Sequence, residues 1–319
     1  MALSVHDLFM APWLVQVVAA SVRFNLFTLL GDSDKSAQEV AEQCGAVPGR
    51  LEALLDACAA LGLVHRRGDR FCNAHFSRIY LVEGAERYFG DMIKHQQDVA
   101  PRWYRLYDVI SGKDLPQPED DEAGHKNFIR AMHNLGKQGE AEALKNALDL
   151  GGCRKMADIG GGSGLYSLVL CEKYPTLQST ILDRGETLAL TREYIKGRKE
   201  AGRITLREGD YFLDDFGGAN DVVLLSDVVY GESETALVLK KAWASLKTGG
   251  FLVIRGYYTD PDGSTPLFGA LFVLNDLLFD PASKMLTVSS LEKLMEEAGF
   301  TRIQSSALTV RSTLVVARK

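Results

Sequence analysis

The sequence predicts an α/β protein: a doubly wound, mainly parallel sheet preceded by a mainly α-helical N-terminal domain. Three observations predict it. From about Lys155 onward, short β-rich runs alternate with amphipathic helical stretches, the pattern of successive strand–helix–strand units. Up to about residue 95 the periodicity is helical, with one small β element. At 319 residues the chain is longer than one core usually accommodates.

The elements follow in order. Near the start, the apolar stretch from Leu8 to Val22 is interrupted by Pro12 and Gln16. It is too short to span a bilayer, and no basic segment precedes it as in a secretory signal, so the expectation is a cytoplasmic protein with no membrane partner. Ser36-Ala37-Gln38-Glu39 fits a capping box, a hydroxyl followed three residues later by a carboxylate that returns the hydrogen bond. A short helix through Cys44, a turn at Gly45 to Gly49, and a helix carrying Leu51, Leu54, Leu55, Cys58 and Leu61 follow. Gly62 ends that helix, and residues 63–71 read as a β-hairpin turning at Gly68-Asp69. Helix, turn, helix and hairpin make a winged-helix pattern. Such modules often bind DNA, but the would-be recognition helix sets Arg50 against Glu52 and Asp56 and offers no cationic face. The expectation is a packing and dimerisation module over 1–95, with no nucleic-acid partner.

A helical connector over 96–150 carries Trp103, Tyr104 and Tyr107, then a polar stretch from Ser111 to Gly124. Its acidic run Glu119-Asp120-Asp121-Glu122 reads as a solvated loop. A helix with Phe128, Ile129, Met132 and Leu135 leads into the sheet domain, 151–319. There Met156 to Ile159, Ser179 to Leu182, Ile204 to Leu206, Val222 to Val229 and Phe251 to Arg255 read as strands. Leu165 to Tyr174, Glu186 to Lys199, Glu234 to Leu246 and Leu291 to Ala298 read as helices, the last behind a second capping box from Ser289 to Glu292. Phe300 to Ala307 and Leu308 to Ala317 read as two closing strands in hairpin succession.

Composition narrows the function. Hydrophobic residues at 46% and charged residues at 24% are ordinary for a soluble globular chain. Acidic side chains outnumber basic ones by 42 to 36, which argues against a surface built to neutralise phosphates. The five cysteines, at 44, 58, 72, 153 and 171, are scattered without a C-x-x-C pair. They are expected as thiols in a reducing compartment, not as a disulfide framework or a zinc site.

The chemistry gathers at Asp158-Ile159-Gly160-Gly161-Gly162-Ser163-Gly164, between the first strand of the sheet domain and the next helix. Glycines there let the backbone approach a ligand closely, and ligands of doubly wound folds sit at the carboxyl ends of the strands. The spacing is not the dinucleotide G-x-G-x-x-G, and no Lys-Ser/Thr closes the loop as in a phosphate-cradling one. Asp183, at the end of the next strand, stands where a carboxylate accepts both ribose hydroxyls. Gly209-Asp210-Tyr211-Phe212 follows the third strand, placing Asp210 to accept from an adenine amine and an aromatic ring to stack on the base.

With Leu182-Asp183, Leu246-Lys247-Thr248-Gly249-Gly250 before a strand and the ending Glu297-Ala298-Gly299-Phe300, the chain resembles the small-molecule O-methyltransferase family over essentially its whole length. The resemblance implies a Rossmann-like S-adenosylmethionine domain of the methyltransferase type behind a winged-helix dimerisation domain. It implies that Gly160, Gly162, Asp183, Asp210, Tyr211, Phe212 and the backbone of Ser226 contact S-adenosylmethionine. It further implies an intertwined homodimer whose first domain helps close the partner's substrate pocket, and an enzyme of secondary metabolism.

The chain departs from the family at the base. The family places a histidine in a stretch of the type L-H-D-W-D-D after the fourth strand; here Val228-Val229-Tyr230-Gly231-Glu232-Ser233-Glu234 puts Tyr230 at that position. The six histidines, at 6, 65, 75, 95, 125 and 133, all precede the glycine loop. The family's supporting acid before the last helix is replaced by Met285. An ordinary tyrosine is about one part in a thousand phenolate at neutral pH, whereas a general base contributes on the order of 10²–10⁴-fold.

Four alternatives stay open. The acceptor arrives anionic; it needs no deprotonation, as a thioether does not; His95, His125 or His133 substitutes; or the protein binds the cofactor for chemistry other than methylation. The leading expectation is methyl transfer to a small, mainly apolar acceptor, oxygen first on resemblance, sulfur or carbon behind it. Tyr230 is the catalytic candidate. Phe128 and Met132, matching the family's F-x-x-A-M helix, are the substrate-pocket candidates together with Trp103, Phe272 and Asn275. Asp227 and Asp276, acids at unconnected loop positions, do not add up to a metal site, and no metal is expected.

Overall fold

A computed structural model describes residues 4–117 and 121–319; counts and absences given below refer to these. Glu119 and Asp120 of the acidic run lie outside them. The chain divides into two compact units, Met1–Pro101 and Arg102–Lys319, so most of the connector expected over 96–150 folds with the second unit.

The first unit begins with α1 (Val5–Arg23), which runs unbroken through Pro12. Ser4 starts it with a reciprocal capping box to Asp7. This corrects the expected interruption at Pro12 and Gln16: a 19-residue helix is, by length and composition alone, long and apolar enough to cross a membrane. Most of it is exposed within the unit, including Leu8, Phe9, Trp13 and Val15. Then come α2 (Leu26–Leu30), β1 (Lys35–Ser36), α3 (Ala37–Cys44), α4 (Pro48–Ala60), β2 (Val64–Arg67), β3 (Arg70–Asn73), α5 (His75–Tyr80) and α6 (Gly90–Trp103). The Ser36 hydroxyl accepts from the Glu39 amide, and the Glu39 carboxylate accepts from the Ser36 amide at 2.6 Å. The β2–β3 hairpin pairs Arg67 with Arg70 around the expected turn. Glu52 and Asp56 of α4 are bonded to Arg66 of that hairpin. Leu26, Phe27, Leu51, Leu55, Cys58, Val64 and Phe71 close the core.

The second unit opens with α7 (Leu106–Ile110), α8 (Glu122–Leu135), a π-type turn at Gly136–Glu140 and α9 (Ala141–Ala147). The alternating segment follows: β4 (Lys155–Ile159), α10 (Leu165–Lys173), β5 (Gln178–Asp183), α11 (Gly185–Ile195), β6 (Ile204–Glu208), β7 (Asn220–Ser226), α12 (Glu232–Ser245), β8 (Leu246–Gly256), α13 (Leu267–Leu277), α14 (Val288–Glu297), β9 (Thr301–Ala307) and β10 (Thr313–Arg318). The strands lie in the order β6-β5-β4-β7-β8-β10-β9. The first five are parallel; β10 runs antiparallel to both its neighbours.

Alternation along the strands builds a core on each face. Ala157, Ile159, Val223, Leu225, Leu252 and Ile254 pack with Leu239, Leu291 and Met295 on one side. Met156, Ile181, Val222, Leu224 and Val253 pack with Leu144, Leu168 and Leu188 on the other. Strand order reverses between β4 and β7, which opens the crevice used by ligands of such sheets.

Three expectations need correcting. The cap of α14 is Thr287 with Ser290, not Ser289 with Glu292, because the helix starts three residues earlier than its apolar spacing suggests. β7 ends at Ser226, short of Val229, because Asp227 adopts a left-handed backbone with φ 58°. α13, over a stretch to which the sequence reading assigns no element, is apolar on all sides and buries only Gly269 among its residues; its period is masked. Asp276, expected on a loop, lies inside it.

Candidate active site

A cavity of about 480 Å³ opens in the second unit over the carboxyl ends of β4, β5, β7 and β8. At one end the loop after β4 turns through Gly160 and Gly162. Gly160 has φ +64°, and a Cβ there would meet Val228 Cγ1 at 2.5 Å. A Cβ on Gly161 would meet the Asp158 carboxylate and Ile181 Cγ2, each at 2.9 Å. The backbone is therefore the only thing that fits.

Asp183 Oδ2 accepts from the Gly162 amide at 2.9 Å and Oδ1 from the Arg184 amide at 2.8 Å. The carboxylate is fixed at the tip of β5 with lone pairs left over. Asp210 Oδ1 accepts from the Phe212 amide at 2.7 Å, and the Tyr211 and Phe212 rings lie 4.5 Å apart. Gly160, Gly162, Asp183, Asp210, Tyr211, Phe212 and Ser226 all line this one cavity, with Phe128 and Met132 of α8 on its apolar wall.

Beneath the loop, Asp158 is fully buried and accepts from Ser167 at 2.6 Å, while its Oδ1 has no hydrogen bond among the described residues. Burial pushes this carboxyl up to about 7, against the Ser167 bond and helped by the charge of Asp183.

The other end is built by residues far apart in sequence. Arg255 of β8 and Glu140 of the π-type turn are 1% and 0% exposed, and they pair at 2.9 Å. Glu140 also accepts from Thr309 and Ser312 and pairs with Arg311. Burial raises the Glu140 carboxyl, but Arg255 and the hydroxyl donors outweigh it and hold it below its ordinary value. Arg255 further donates to Tyr257 at 2.6 Å and to Asp227 Oδ2. Asp227 Oδ1 accepts from the Tyr230 hydroxyl at 2.7 Å. Asp227, Arg255 and Tyr257 line the cavity.

Burial, then the neighbouring Tyr258, Tyr257 and Asp276, push the Tyr230 phenol well above its ordinary value, and its hydroxyl donates to Asp227. Tyr230 does not line the cavity, nor do three expected pocket residues. The Trp103 indole donates to Asn275 Oδ1 at 3.1 Å. Phe272 packs its ring 5.5 Å from Tyr230 and 5.0 Å from Tyr257.

The histidines divide. His125 lines the cavity, bonded to Thr187 and Arg184 beside Asp183. His133 is bonded to Ser163, stacks on Tyr194 at 3.9 Å, and is pushed down to about 4, by burial first and then by Lys137 and Arg198. His95 lies in the first unit, where burial lowers it. Glu140, Arg255 and Tyr257 escaped the sequence reading; a charged residue directly at the end of the apolar run Phe251-Leu252-Val253-Ile254 was the available signal for Arg255. Among the described residues, no three His, Cys, Asp or Glu side chains cluster as metal ligands.

Comparison with known proteins places this geometry. Residues 87–301 match the O-methyltransferase domain family, and residues 6–83 the O-methyltransferase dimerisation domain. A 3-hydroxy-5-methyl-1-naphthoate 3-O-methyltransferase of Streptomyces sahachiroi is 31% identical over 283 residues, 85% of this chain and 82% of that one. The N,N-dimethyltransferase OxyT of Streptomyces rimosus is 28% identical, covering 88% and 85%. The crystal structure of human N-acetylserotonin methyltransferase in complex with SAM superposes with a TM-score of 0.87 at 23% identity, over 98% of this chain and 96% of that one.

Proposed function

Because the chain belongs to the O-methyltransferase family and is an S-adenosylmethionine-dependent methyltransferase, we propose that it methylates an oxygen on a small, mainly apolar aromatic acceptor, working as a cytoplasmic homodimer. The observation that carries this reading is the single cavity in which the glycine loop, Asp183 and Asp210 face an apolar wall containing Phe128 and Met132. The dimerisation domain over 6–83 supports the dimer.

The residues present fit the cofactor. Gly160 and Gly161 pack the loop against Val228, Asp158 and Ile181 with no space for a Cβ, and Gly160, Gly161 and Gly162 line the cavity. Asp183, pre-set by two amides, would accept from the ribose hydroxyls, Asp210 would accept from the adenine amine, Tyr211 and Phe212 would pack on the base, and Gly162 and Ser226 would hold the rest of the cofactor. S-adenosylmethionine bound here supplies an electrophilic methyl group on a cationic sulfur. The chain's own work is then to align the acceptor, exclude water and handle one proton.

The test is incubation of the purified protein with methyl-labelled S-adenosylmethionine and hydroxynaphthoate and hydroxyarene acceptors. Label entering an extractable methyl ether, lost in Asp183→Asn, is expected; saturable cofactor binding with no label leaving it contradicts the reading. The kinship with an N,N-dimethyltransferase favours nitrogen as the second acceptor, which the chemical shift of the transferred methyl separates from oxygen.

A further inference from the structure

A neutral hydroxyl acceptor must lose its proton as it is methylated, and the cavity wall narrows which group can take it. Toward the glycine loop, Asp183 and Asp210 accept from backbone amides, and His125 is bonded to Thr187 and Arg184 beside them. Tyr166, Tyr211 and Tyr257 are phenols that burial makes harder to ionise. Glu140 is fully buried and is not on the wall. Among the described residues of this wall, the carboxylate at the far end is Asp227.

Three features distinguish it. Its side chain is 26% exposed and lines the cavity. Both oxygens are aimed by donors, Oδ1 by Tyr230 and Oδ2 by Arg255, and the Arg255 guanidinium is locked in turn by Glu140. Its backbone, at φ 58°, is held by a hydrogen bond that its N–H donates to the Arg255 carbonyl at 2.9 Å, a conformation that needs support from its surroundings. Its neighbour in sequence, Val228, packs against Gly160 of the glycine loop.

We propose that Asp227 is the general base of the methyl transfer and that Tyr230 and Arg255 position it. This rests on the methyl-transfer reading above. The acceptor hydroxyl gives its proton to a free lone pair of the Asp227 carboxylate as the acceptor oxygen forms the new bond to the methyl carbon. The carbon–sulfur bond breaks with its electron pair remaining on sulfur, leaving a neutral thioether. Asp227 then returns the proton to water at the cavity mouth. A carboxylate facing Arg255 and Tyr230 is a weak base, so the acceptors it serves are acidified hydroxyls: phenols carrying a conjugated carbonyl, carboxyl or nitro group.

The experiment compares wild type with Asp227→Asn on substituted 2-naphthols and hydroxynaphthoates spanning a range of acidity. A loss of about 10²-fold in kcat/KM is expected where the acceptor is protonated at the assay pH, the low end of what a general base contributes. The loss shrinks to a few-fold where the pH exceeds the acceptor's own pKa. An equal loss on every acceptor, or none, overturns the proposal.

A binding readout is independent of turnover. 4-Nitro-1-naphthol is titrated by absorbance on the protein with S-adenosylhomocysteine. Beside the Asp227 carboxylate the probe ionises at higher pH than in water, and Asp227→Asn abolishes that shift; a probe that ionises at the same or lower pH on wild type overturns it. Should the Asn variant not fold, Tyr230→Phe still decides. It removes a hydrogen bond to the ionised carboxylate, so the acidic limb of kcat against pH moves upward; an unmoved limb counts against Asp227. Calorimetry with S-adenosylmethionine separates the failures. Wild type that does not bind it refutes the methyl-transfer reading, whereas normal binding without acceptor dependence refutes only the role of Asp227.

Discussion

The two ends of the cavity are built by opposite means. At the glycine-loop end, groups close in sequence and at successive strand tips present backbone amides and two carboxylates. At the other end, Glu140, Asp227, Arg255, Tyr257, Thr309 and Ser312, drawn from across the second unit, form one hydrogen-bonded network of charged and polar side chains around the buried Glu140–Arg255 pair. The first end relies on the absence of side chains, the second on their mutual satisfaction. Damage to the first should therefore weaken ligand binding in a fold that stays intact, and damage to the second should unfold the domain.

The largest effect expected from that contrast is at Glu140. Glu140→Ala leaves Arg255 buried without its main counter-charge and should cost about 3–5 kcal/mol, read from the urea midpoint of the whole chain. A loss under about 1 kcal/mol would mean that the far end is not a unit.

Next comes Gly160→Ala. Its Cβ would meet Val228 in a left-handed backbone, so S-adenosylmethionine affinity should fall by roughly 10²-fold or more, about 2.7 kcal/mol, while the urea midpoint should fall by less than in Glu140→Ala. Calorimetry checks the first part, and a midpoint that collapses as well would erase the distinction between the ends.

The pH dependence sharpens the boundary between them. Asp158 lies under the loop with its folded carboxyl raised to about 7, above its unfolded value near 3.9. The folded state thus holds a proton that the unfolded chain releases. The stabilisation is complete below pH 4 and is lost as pH rises through 7. Asp158→Asn, which needs no proton, should match wild type near pH 4–5 and surpass it in thermal midpoint at pH 8. Parallel curves would show that Asp158 is ionised throughout.

Smallest is a control in the first unit. Ser36→Ala removes one half of the capping box on α3 and should cost about 1 kcal/mol, leaving cofactor affinity unaltered.

The same contrast explains what could be read from the sequence. The doubly wound sheet was legible because β4 to β8 alternate with helices of ordinary period, and the cofactor end because Gly160, Asp183 and Asp210 fall at the tips of three consecutive strands. α13 was not, since Leu267, Leu271 and Leu274 leave no polar face to set a period. The partner of Arg255 was not either: Glu140 lies 115 residues away, just past a kink after α8 where Gln138 and Gly139 leave helical backbone. Tyr230 was found by its place in the family's pattern, but its hydrogen bond to Asp227, three residues earlier, became visible only in the fold. Pro12 misled because a proline that removes one amide does not by itself end a helix.

The left-handed turn at position 227 also filters chemistry. Aside from glycine, the residues most at home in that backbone are asparagine, aspartate and histidine, and of these only the last two can accept a proton near neutral pH. Aspartate and histidine are thus the proton acceptors that the backbone at 227 accommodates at least cost.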